Sequence, residues 1–367
     1  MSATGLALLA VILHIWFGMH AGLILNGDML EYHAIARHLM EQGYFGIGKR
    51  PGAYVTPAYP LFITLIYLLI HWSTQQSIAH CLTMTRQVYL IQQIVDMSIP
   101  WLCYLLAREF GGRWVGLAGC ALSIAYLPNN FVGCKLLTEA LYVPLLLASL
   151  LLLTKLRKQR SFSLALGAGA VVGLTILTRP LSAVILPVWI ALIFVEEYIY
   201  PLSRPARTWR TALTVVASVT IVLCPWWIRN EVTLHRLVIL STEGGNPLLL
   251  GASPYFELGQ YQLMTLAKSA HESLMAFSLH YILHGFRQRF WLYLGWYTVG
   301  RLPYYFLSPW LLGWWSNTLV FVYFHRLVVL LGLIARISAT TMLPIRRSLG
   351  TNKQYPVAMR PSSTTNR

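Results

Sequence analysis

The sequence predicts an all-α, polytopic integral membrane protein with roughly eight transmembrane helices. Hydrophobic residues make up 56% of the 367-residue chain and charged residues only 11%, and the mean hydropathy is +0.58. Long apolar runs also recur along nearly the whole chain. Because a typical soluble domain carries about 25% charged residues, this composition calls for a bilayer rather than water around most of the chain.

Eight apolar runs approach the roughly 20 residues needed to cross a bilayer. They are residues 6–25, 88–107, 114–128, 136–154, 162–178, 181–195, 212–228 and 318–334. The run within 57–72 is short and begins in a proline-rich stretch, so we expect an interfacial or re-entrant helix there. The Trp- and Tyr-rich stretches 290–297 and 304–315 favour the headgroup boundary in the same way.

Lysine and arginine residues indicate the orientation of these spans, because they concentrate in short cytoplasmic connections. Four basic clusters occur: Arg108 and Arg113; Lys155, Arg157, Lys158 and Arg160; Arg204, Arg207 and Arg210; and the tail 336–367. With both termini inside, the outer segments are 26–87, 129–135, 179–180 and 229–317. The formal charge of +16 therefore reflects topology, and no nucleic-acid partner is predicted.

The acidic residues are distributed the opposite way. Eight of the twelve fall on the predicted outer side: Asp28, Glu31, Glu41, Glu139, Glu231, Glu243, Glu257 and Glu272. Asp28 and Glu31 follow the first span at a spacing that shares one helix face. The pattern leaves two interpretations open, a catalytic acid at Asp28 or an N-cap of an interfacial helix ending near Gln42.

Glu139 opens an otherwise apolar helix on the same outer side. A carboxylate there either complements the helix dipole or serves a function at the membrane edge. Arg179 and Arg229 also lie outside, against the trend of the other cations. They either snorkel to lipid headgroups or grip a phosphate, and Lys135 could add another positive charge.

Other polar features give weaker signals. Asp96 lies within the second span, where it either lines a polar cavity or bonds Gln92, Gln93 or Ser98. The five cysteines form no C-x-x-C pair and the eleven histidines no H-E-x-x-H pattern, so no metal site or disulfide framework is indicated. The segment Gly244-Gly245-Asn246-Pro247 is typical of a turn.

Six segments in a fixed order resemble the GT-C superfamily of polytopic glycosyltransferases, particularly the family 39-like group of protein O-mannosyltransferases and aminoarabinose transferases. They are Asp28 after the first span, Arg50-Pro51-Gly52 with Pro57-Ala58-Tyr59-Pro60, Thr138-Glu139, Leu177-Thr178-Arg179-Pro180, Pro225-Trp226-Trp227-Ile228-Arg229-Asn230, and Gly244-Gly245-Asn246-Pro247. The resemblance extends from Asn26 to about Pro254.

The resemblance implies a GT-C-like fold. We expect a membrane-embedded domain over 1–345, with outer loops 26–87 and 229–317 forming its active-site face, and a basic cytoplasmic tail over 346–367. The resemblance also implies transfer of a sugar from a polyprenyl-phosphate donor to an acceptor hydroxyl, with inversion, at the outer membrane face. The acceptor is a glycan, a lipid or a protein. We expect the membrane to be the plasma membrane of a prokaryote, whereas an internal eukaryotic membrane would place the same site in its lumen. Asp28 would be the general base.

The same resemblance assigns the remaining roles. Glu31 and Glu139 would orient the acceptor or bind a divalent cation if one is used, while Lys135, Arg179 and Arg229 would hold the lipid phosphate. No other cofactor is implied, and metal ligands stay unknown. Many relatives carry adjacent acids where Met29 follows Asp28, and many continue through further spans beyond the equivalent of 334. A transporter or flippase for a polyprenyl-linked sugar, and a non-catalytic membrane scaffold, therefore stay open as alternatives.

Overall fold

The structure is a computed structural model that describes residues 3–20, 25, 27–83, 85–126, 133, 135–199 and 205–302. In these residues all regular secondary structure is helical. The chain divides into two compact units, Met1–Leu294 and Gly295–Arg367, and 295–302 is the described part of the second.

Fourteen α-helices occur in the described residues, interrupted by 3₁₀ turns at Pro180–Val184 and Pro254–Phe256 and followed by a π turn at Trp296–Gly300. The helices are α1 Ala3–His20, α2 Asp28–Gln42, α3 Ala58–Thr74, α4 Ile78–Cys81, α5 Thr85–Asp96, α6 Ser98–Ala125, α7 Glu139–Lys158, α8 Phe162–Thr178, α9 Ile185–Ile199, α10 Pro205–Leu234, α11 Gly245–Leu250, α12 Gln260–Ser269, α13 Leu274–Gln288 and α14 Phe290–Gly295.

The predicted all-α membrane class is confirmed. Four stretches in the described residues are long and apolar enough to cross a bilayer, namely Thr85–Ala125, Glu139–Lys158, Pro180–Ile199 and Arg207–Leu234. Ala58–Thr74 and Phe162–Thr178 are shorter apolar helices. The predicted span 318–334, the aromatic stretch 304–315 and the tail 346–367 lie outside the described residues. The count of eight spans stays a prediction.

Helices α7, α8 and α10 form the centre of the first unit, because small residues of α8 allow close approach. A Cβ added at Gly169 would lie 2.6 Å from the Ser218 Cβ, and one at Gly173 would lie 2.8 Å from the Val222 Cβ. The Ser218 hydroxyl donates to the Leu166 carbonyl oxygen at 2.7 Å. The α8–α10 interface therefore combines backbone proximity with an interhelical hydrogen bond.

Helix α6 reverses direction at Gly111 and Gly112, whose dihedral angles are not helical (φ −144°, ψ 15° and φ 75°, ψ −166°). The two halves then pack against each other, since a Cβ at Gly116 would lie 2.9 Å from the Tyr104 ring and one at Gly119 2.9 Å from the Ala107 Cβ. A tight turn thus joins the segments predicted as the spans 88–107 and 114–128, between Arg108 and Arg113.

We predict that Gly112→Ala lowers the free energy of unfolding by about 1–3 kcal/mol, because its φ and ψ fall in a region that only glycine adopts readily. No atom lies within 4 Å of the added Cβ, so the loss isolates backbone strain. Thermal unfolding in detergent measures the effect. Gly167→Ala in α8 is the matched control, since its Cβ also meets open space and its helical backbone accepts alanine. Equal melting temperatures for the two variants would contradict the prediction.

Charged side chains separate the first unit into two ends. At one end, which we call the basic end, Lys158 pairs with Glu109 at 2.6 Å, Arg160 pairs with Glu197 at 3.1 Å, and Arg157 pairs with Glu196. These residues line a cavity of about 600 Å³. The opposite ends of the same helices carry Glu139, Arg179 and Arg229, and we call this the acid end. The predicted grouping of basic clusters on one side agrees with this arrangement.

Arg229 ties the acid end of α10 to loop 43–57. Its guanidinium donates to the Gly52 carbonyl oxygen at 2.7 Å, to the Phe45 carbonyl oxygen at 2.8 Å and to the Asn230 side-chain oxygen at 2.9 Å. It also lies 5.2 Å from the centre of the Trp226 ring. Because one planar fork bonds two carbonyls of a loop that is distant in sequence, Arg229 acts as a clamp in this structure.

Arg229→Lys is expected to lower the free energy of unfolding by about 2 kcal/mol, since an ammonium cannot reproduce the fork that bonds both carbonyls. Thermal unfolding in detergent measures the loss. Arg236→Lys, at an exposed position just after α10, controls for the change of side-chain type. If Arg229→Lys is as stable as wild type, the bonds from Arg229 to loop 43–57 do not stabilise the fold, and phosphate binding becomes the better explanation of this arginine.

Candidate active site

Helix α2 presents an exposed carboxylate at its first residue. Gly27 is the N-cap, with φ 52° and ψ −131°, a conformation that favours glycine, and no side chain caps the helix. The alternative that Asp28 is the N-cap is therefore wrong: Asp28 is the first helical residue. Its side chain is exposed, whereas Met29 and Tyr32 are buried. The helix ends at Gln42, as predicted.

Aromatic and polar contacts fix α2 against α3. The Tyr32 ring meets the Tyr59 ring edge-on, with 5.1 Å between ring centres, and the His33 Nδ1 lies 3.1 Å from the Tyr67 hydroxyl. The Tyr59 hydroxyl in turn donates to the Gln92 side-chain oxygen of α5 at 2.7 Å. These contacts hold the start of α2 in one orientation, so that Asp28 and Glu31 have defined positions.

Loop 235–244, which connects α10 to α11, pairs with loop 43–57. The Thr242 amide donates to the Ala53 carbonyl at 2.8 Å, and the Glu243 amide donates to the Tyr54 carbonyl at 3.0 Å. The Asn246 side-chain amide donates to the Tyr54 hydroxyl at 2.7 Å. The prediction that Gly244-Gly245-Asn246-Pro247 forms only a turn is therefore partly wrong. The turn at Glu243 and Gly244 leads directly into helix α11, which begins at Gly245.

This pairing brings Glu243 into the electrostatic field of the α2 acids. Burial raises the pKa of Glu31, and the charges of Asp28 and Glu243 raise it further. Burial likewise raises the pKa of Glu243, with Asp28 adding to the shift and Arg179 opposing it. Three carboxyl groups from two distant segments therefore act on one another.

Glu139 and Arg179 form an ion pair beside this group, with 2.8 Å between the Arg179 Nη2 and the Glu139 Oε1. The Thr138 hydroxyl donates to the other Glu139 oxygen at 3.2 Å, and the Arg179 guanidinium lies 5.5 Å from the centre of the Tyr142 ring. Pro180 favours the extended backbone of Arg179, which has φ −142° and ψ 119°. The Thr-Glu and Thr-Arg-Pro segments are thus joined directly.

Tyr32 lies in the electrostatic field of both Asp28 and the Glu139–Arg179 ion pair. Its pKa is raised by burial and by the charges of Asp28, Glu243 and Glu139, while Arg179 opposes the shift. The structure therefore brings together four of the six site residues predicted from sequence: Asp28, Glu31, Glu139 and Arg179.

The other two predicted residues are placed differently. Arg229 is engaged with the carbonyls of loop 43–57. Lys135 is half-buried on the segment before α7, where its carbonyl oxygen accepts from Gln92 at 2.9 Å. Sequence reasoning missed Glu243 and Tyr54 as site residues. The one signal for Glu243 was its position directly before the Gly-Gly-Asn-Pro segment.

Asp96 is almost fully buried and lies against Gly133. Two of its three expected partners are wrong: Ser98 donates to the Val95 carbonyl, and Gln92 bonds Tyr59 and the carbonyls of residues 133 and 135. In the described part of the chain the Asp96 Oδ2 has no hydrogen-bond partner.

An apolar cavity of about 420 Å³ opens at the acid end between α2, α3, α8 and α10. Its wall includes Leu39, Leu61, Leu177, Val222, Trp226 and Arg229. Leu177 lies two residues before Arg179, so the cavity adjoins the segment that carries the ion pair. Across the described ranges, no three His, Cys, Asp or Glu residues are grouped so as to hold a metal ion.

Residues 55–228 match the family model described as dolichyl-phosphate-mannose-protein mannosyltransferase. The matched region runs from loop 43–57 to the acid end of α10 and contains Glu139 and Arg179. No curated protein matches the chain. The family match confirms the resemblance shown by the ordered motifs, and with the helical membrane fold it supports a membrane glycosyltransferase of the GT-C superfamily.

Proposed function

We propose that this protein transfers a sugar from a polyprenyl-phosphate donor to an acceptor hydroxyl at the outer membrane face, with inversion. The observation that carries the proposal is the Glu139–Arg179 ion pair, which acts on Tyr32 together with the charges of Asp28 and Glu243. This group lies at the acid end, opposite the clusters of lysine and arginine that favour the cytoplasm. It supplies the base and the phosphate-binding cation that such a transfer needs.

Asp28 is the general base in this mechanism, because its carboxylate is the exposed acid at the start of α2. It takes the proton of the acceptor hydroxyl while the acceptor oxygen attacks the anomeric carbon. The bond from that carbon to the phosphate oxygen breaks, and the lipid phosphate leaves with the electron pair. A single displacement inverts the anomeric centre.

Arg179 holds the departing phosphate. Its guanidinium is 43% exposed although it pairs with Glu139, so donors are available to a ligand. The ion pair and the Tyr142 ring fix the direction of the fork before the donor binds. Lys135 adds a second cation, Arg229 acts indirectly through loop 43–57, and Glu31 and Glu139 orient the acceptor or hold a divalent cation.

The 420 Å³ apolar cavity receives the part of the polyprenyl chain nearest the phosphate. Leucine, valine and tryptophan side chains line it, and burial of apolar surface favours a hydrocarbon ligand. The acceptor is a glycan, a lipid or a protein, and the membrane is the plasma membrane of a prokaryote. Both are expectations and do not rest on a contact in the structure.

Asp28→Asn is expected to lower sugar transfer by about 10²–10⁴-fold, because asparagine cannot accept the acceptor's proton. Labelled sugar transfer from membrane lipid to endogenous acceptors measures this at matched expression. Glu41→Gln is the control, since Glu41 lies on the same helix and pairs only loosely with Arg37, at 3.9 Å. Equal activity in wild type and Asp28→Asn would exclude Asp28 as the base, and absence of transfer in wild type would favour the flippase or scaffold function.

Arg179→Gln is expected to lower kcat/KM for the lipid donor by roughly 10–100-fold, because it removes a charge-assisted contact to the leaving phosphate. Arg179→Lys should recover part of the loss, since an ammonium keeps the charge without the fork. Initial rates against donor concentration give the comparison. Arg236→Gln, an exposed arginine at the acid end, serves as the control. Donor kinetics unchanged in Arg179→Gln would place the phosphate elsewhere.

A further inference from the structure

The carboxylate of Glu243 has no partner that explains its position. The backbone amides of Thr242 and Glu243 make the two bonds that attach loop 235–244 to loop 43–57. In the described part of the chain, the Glu243 side chain makes no hydrogen bond and no ion pair. A half-buried carboxylate near other carboxylates is unfavourable for folding, so its presence calls for another explanation.

The groups around Glu243 match the requirements of a sugar. The Tyr54 hydroxyl accepts a hydrogen bond from Asn246, which leaves its own proton available to donate. The side-chain oxygen of Asn246 is buried and has no hydrogen-bond partner among the described residues. Carboxylate, phenol and amide together offer both acceptors and donors, as sugar hydroxyls require.

Glu243 also shares an electrostatic environment with the proposed reacting groups. The charges of Glu31, Glu243 and Asp28 all act on Tyr54, and burial together with these charges raises the Tyr54 pKa. The charge of Arg179, the proposed phosphate ligand, acts on Glu243. Because the backbone bond from Glu243 to the Tyr54 carbonyl holds these two residues together, we expect a sugar held between Asp28 and the phosphate on Arg179 to meet both side chains.

We propose that Glu243 is a substrate-contacting residue of the transferase site, supplied by loop 235–244, whose carboxylate accepts hydrogen bonds from hydroxyl groups of the transferred sugar. This inference rests on the proposed function. Tyr54 donates a hydrogen bond to the same sugar, and Asn246 holds the Tyr54 phenol in place. The loop thereby selects donors that carry hydroxyls where the carboxylate points, because an analogue without them would leave the half-buried carboxylate unsatisfied.

The test is Glu243→Gln, which keeps the size of the side chain and both backbone hydrogen bonds of the loop. With the labelled lipid-sugar fraction of the host membranes as donor, kcat/KM should fall by roughly 10–100-fold, mainly through KM. Glu243→Asp should recover part of the activity, because it retains the carboxylate. Glu257→Gln is the matched control, since Glu257 is an exposed acid of the same predicted outer segment and pairs with Arg289.

Stability separates a functional role from a structural one. Because the pKa of Glu243 is raised, the ionised carboxylate destabilises the fold above that pKa and ceases to do so below its ordinary value of 4.5. Glu243→Gln should therefore melt a few degrees higher than wild type near pH 7, and the difference should shrink towards pH 4. Glu243 interacts electrostatically with Asp28, Glu31, Tyr54 and Arg179, and these groups also affect how stability depends on pH. The melting temperature of Glu243→Gln is therefore compared with that of Glu257→Gln at each pH.

The outcomes are distinct. Lost transfer with undiminished melting temperature supports the inference. Lost transfer together with a lower melting temperature, and no recovery in Glu243→Asp, would make Glu243 a structural residue and overturn it. Full activity in Glu243→Gln while Asp28→Asn is inactive would overturn this inference alone, whereas no transfer in wild type would overturn the proposed function and this inference with it.

Discussion

The exclusion of charge from the bilayer interior is the constraint that organises this protein. Four apolar stretches of the described chain leave charged side chains few positions other than the two ends of the helices. At the basic end, cations pair with acids from neighbouring helices and hold those helices together. At the acid end, carboxyl groups gather with fewer cations. The same constraint that sets the topology therefore concentrates the ionisable groups from which a site can be built.

Hydrogen bonds between segments that are distant in sequence then give the ionisable groups of the acid end defined positions. Arg229 bonds two carbonyls of loop 43–57, and the amides of Thr242 and Glu243 bond two more. The Thr56 hydroxyl donates to the Thr178 carbonyl at 3.0 Å, directly before Arg179. Loop 43–57 is thus fixed to both α8 and α10. Main-chain acceptors dominate these contacts, so their geometry depends little on the side chains of the loop itself.

The sequence was sufficient for the features that depend on local patterns. Apolar periodicity and length predicted the helical membrane class, and the bounds of α2 followed from Asp28 and the residues up to Gln42. The order of the motifs and the spacing of Glu31 from Asp28 gave Asp28, Glu31, Glu139 and Arg179 as candidates, and their roles stay predictions. Tertiary pairing could not be predicted in this way. An arginine at a helix end has the same sequence pattern whether it binds a phosphate, a headgroup or two carbonyls. The residues around Glu243 likewise give no sign that its backbone amide bonds the Tyr54 carbonyl.

The charge balance of the site limits how the proposed phosphate-linked donor can bind. Asp28, Glu31, Glu139 and Glu243 contribute four carboxyl groups, and Arg179, already paired with Glu139, is a cation whose charge also acts on Glu243. A lipid phosphate brings further negative charge into the same space, and repulsion is strong where burial lowers the effective dielectric constant. Donor binding therefore requires more positive charge than Arg179 supplies, from Lys135, from a divalent cation or from protons on the acids with raised pKa. Protonation of Glu31 or Glu243 would reduce the repulsion and leave the exposed Asp28 as the proposed base. Two half-buried carboxyl groups beside an exposed one therefore suit a site that must bind an anion and still accept a proton.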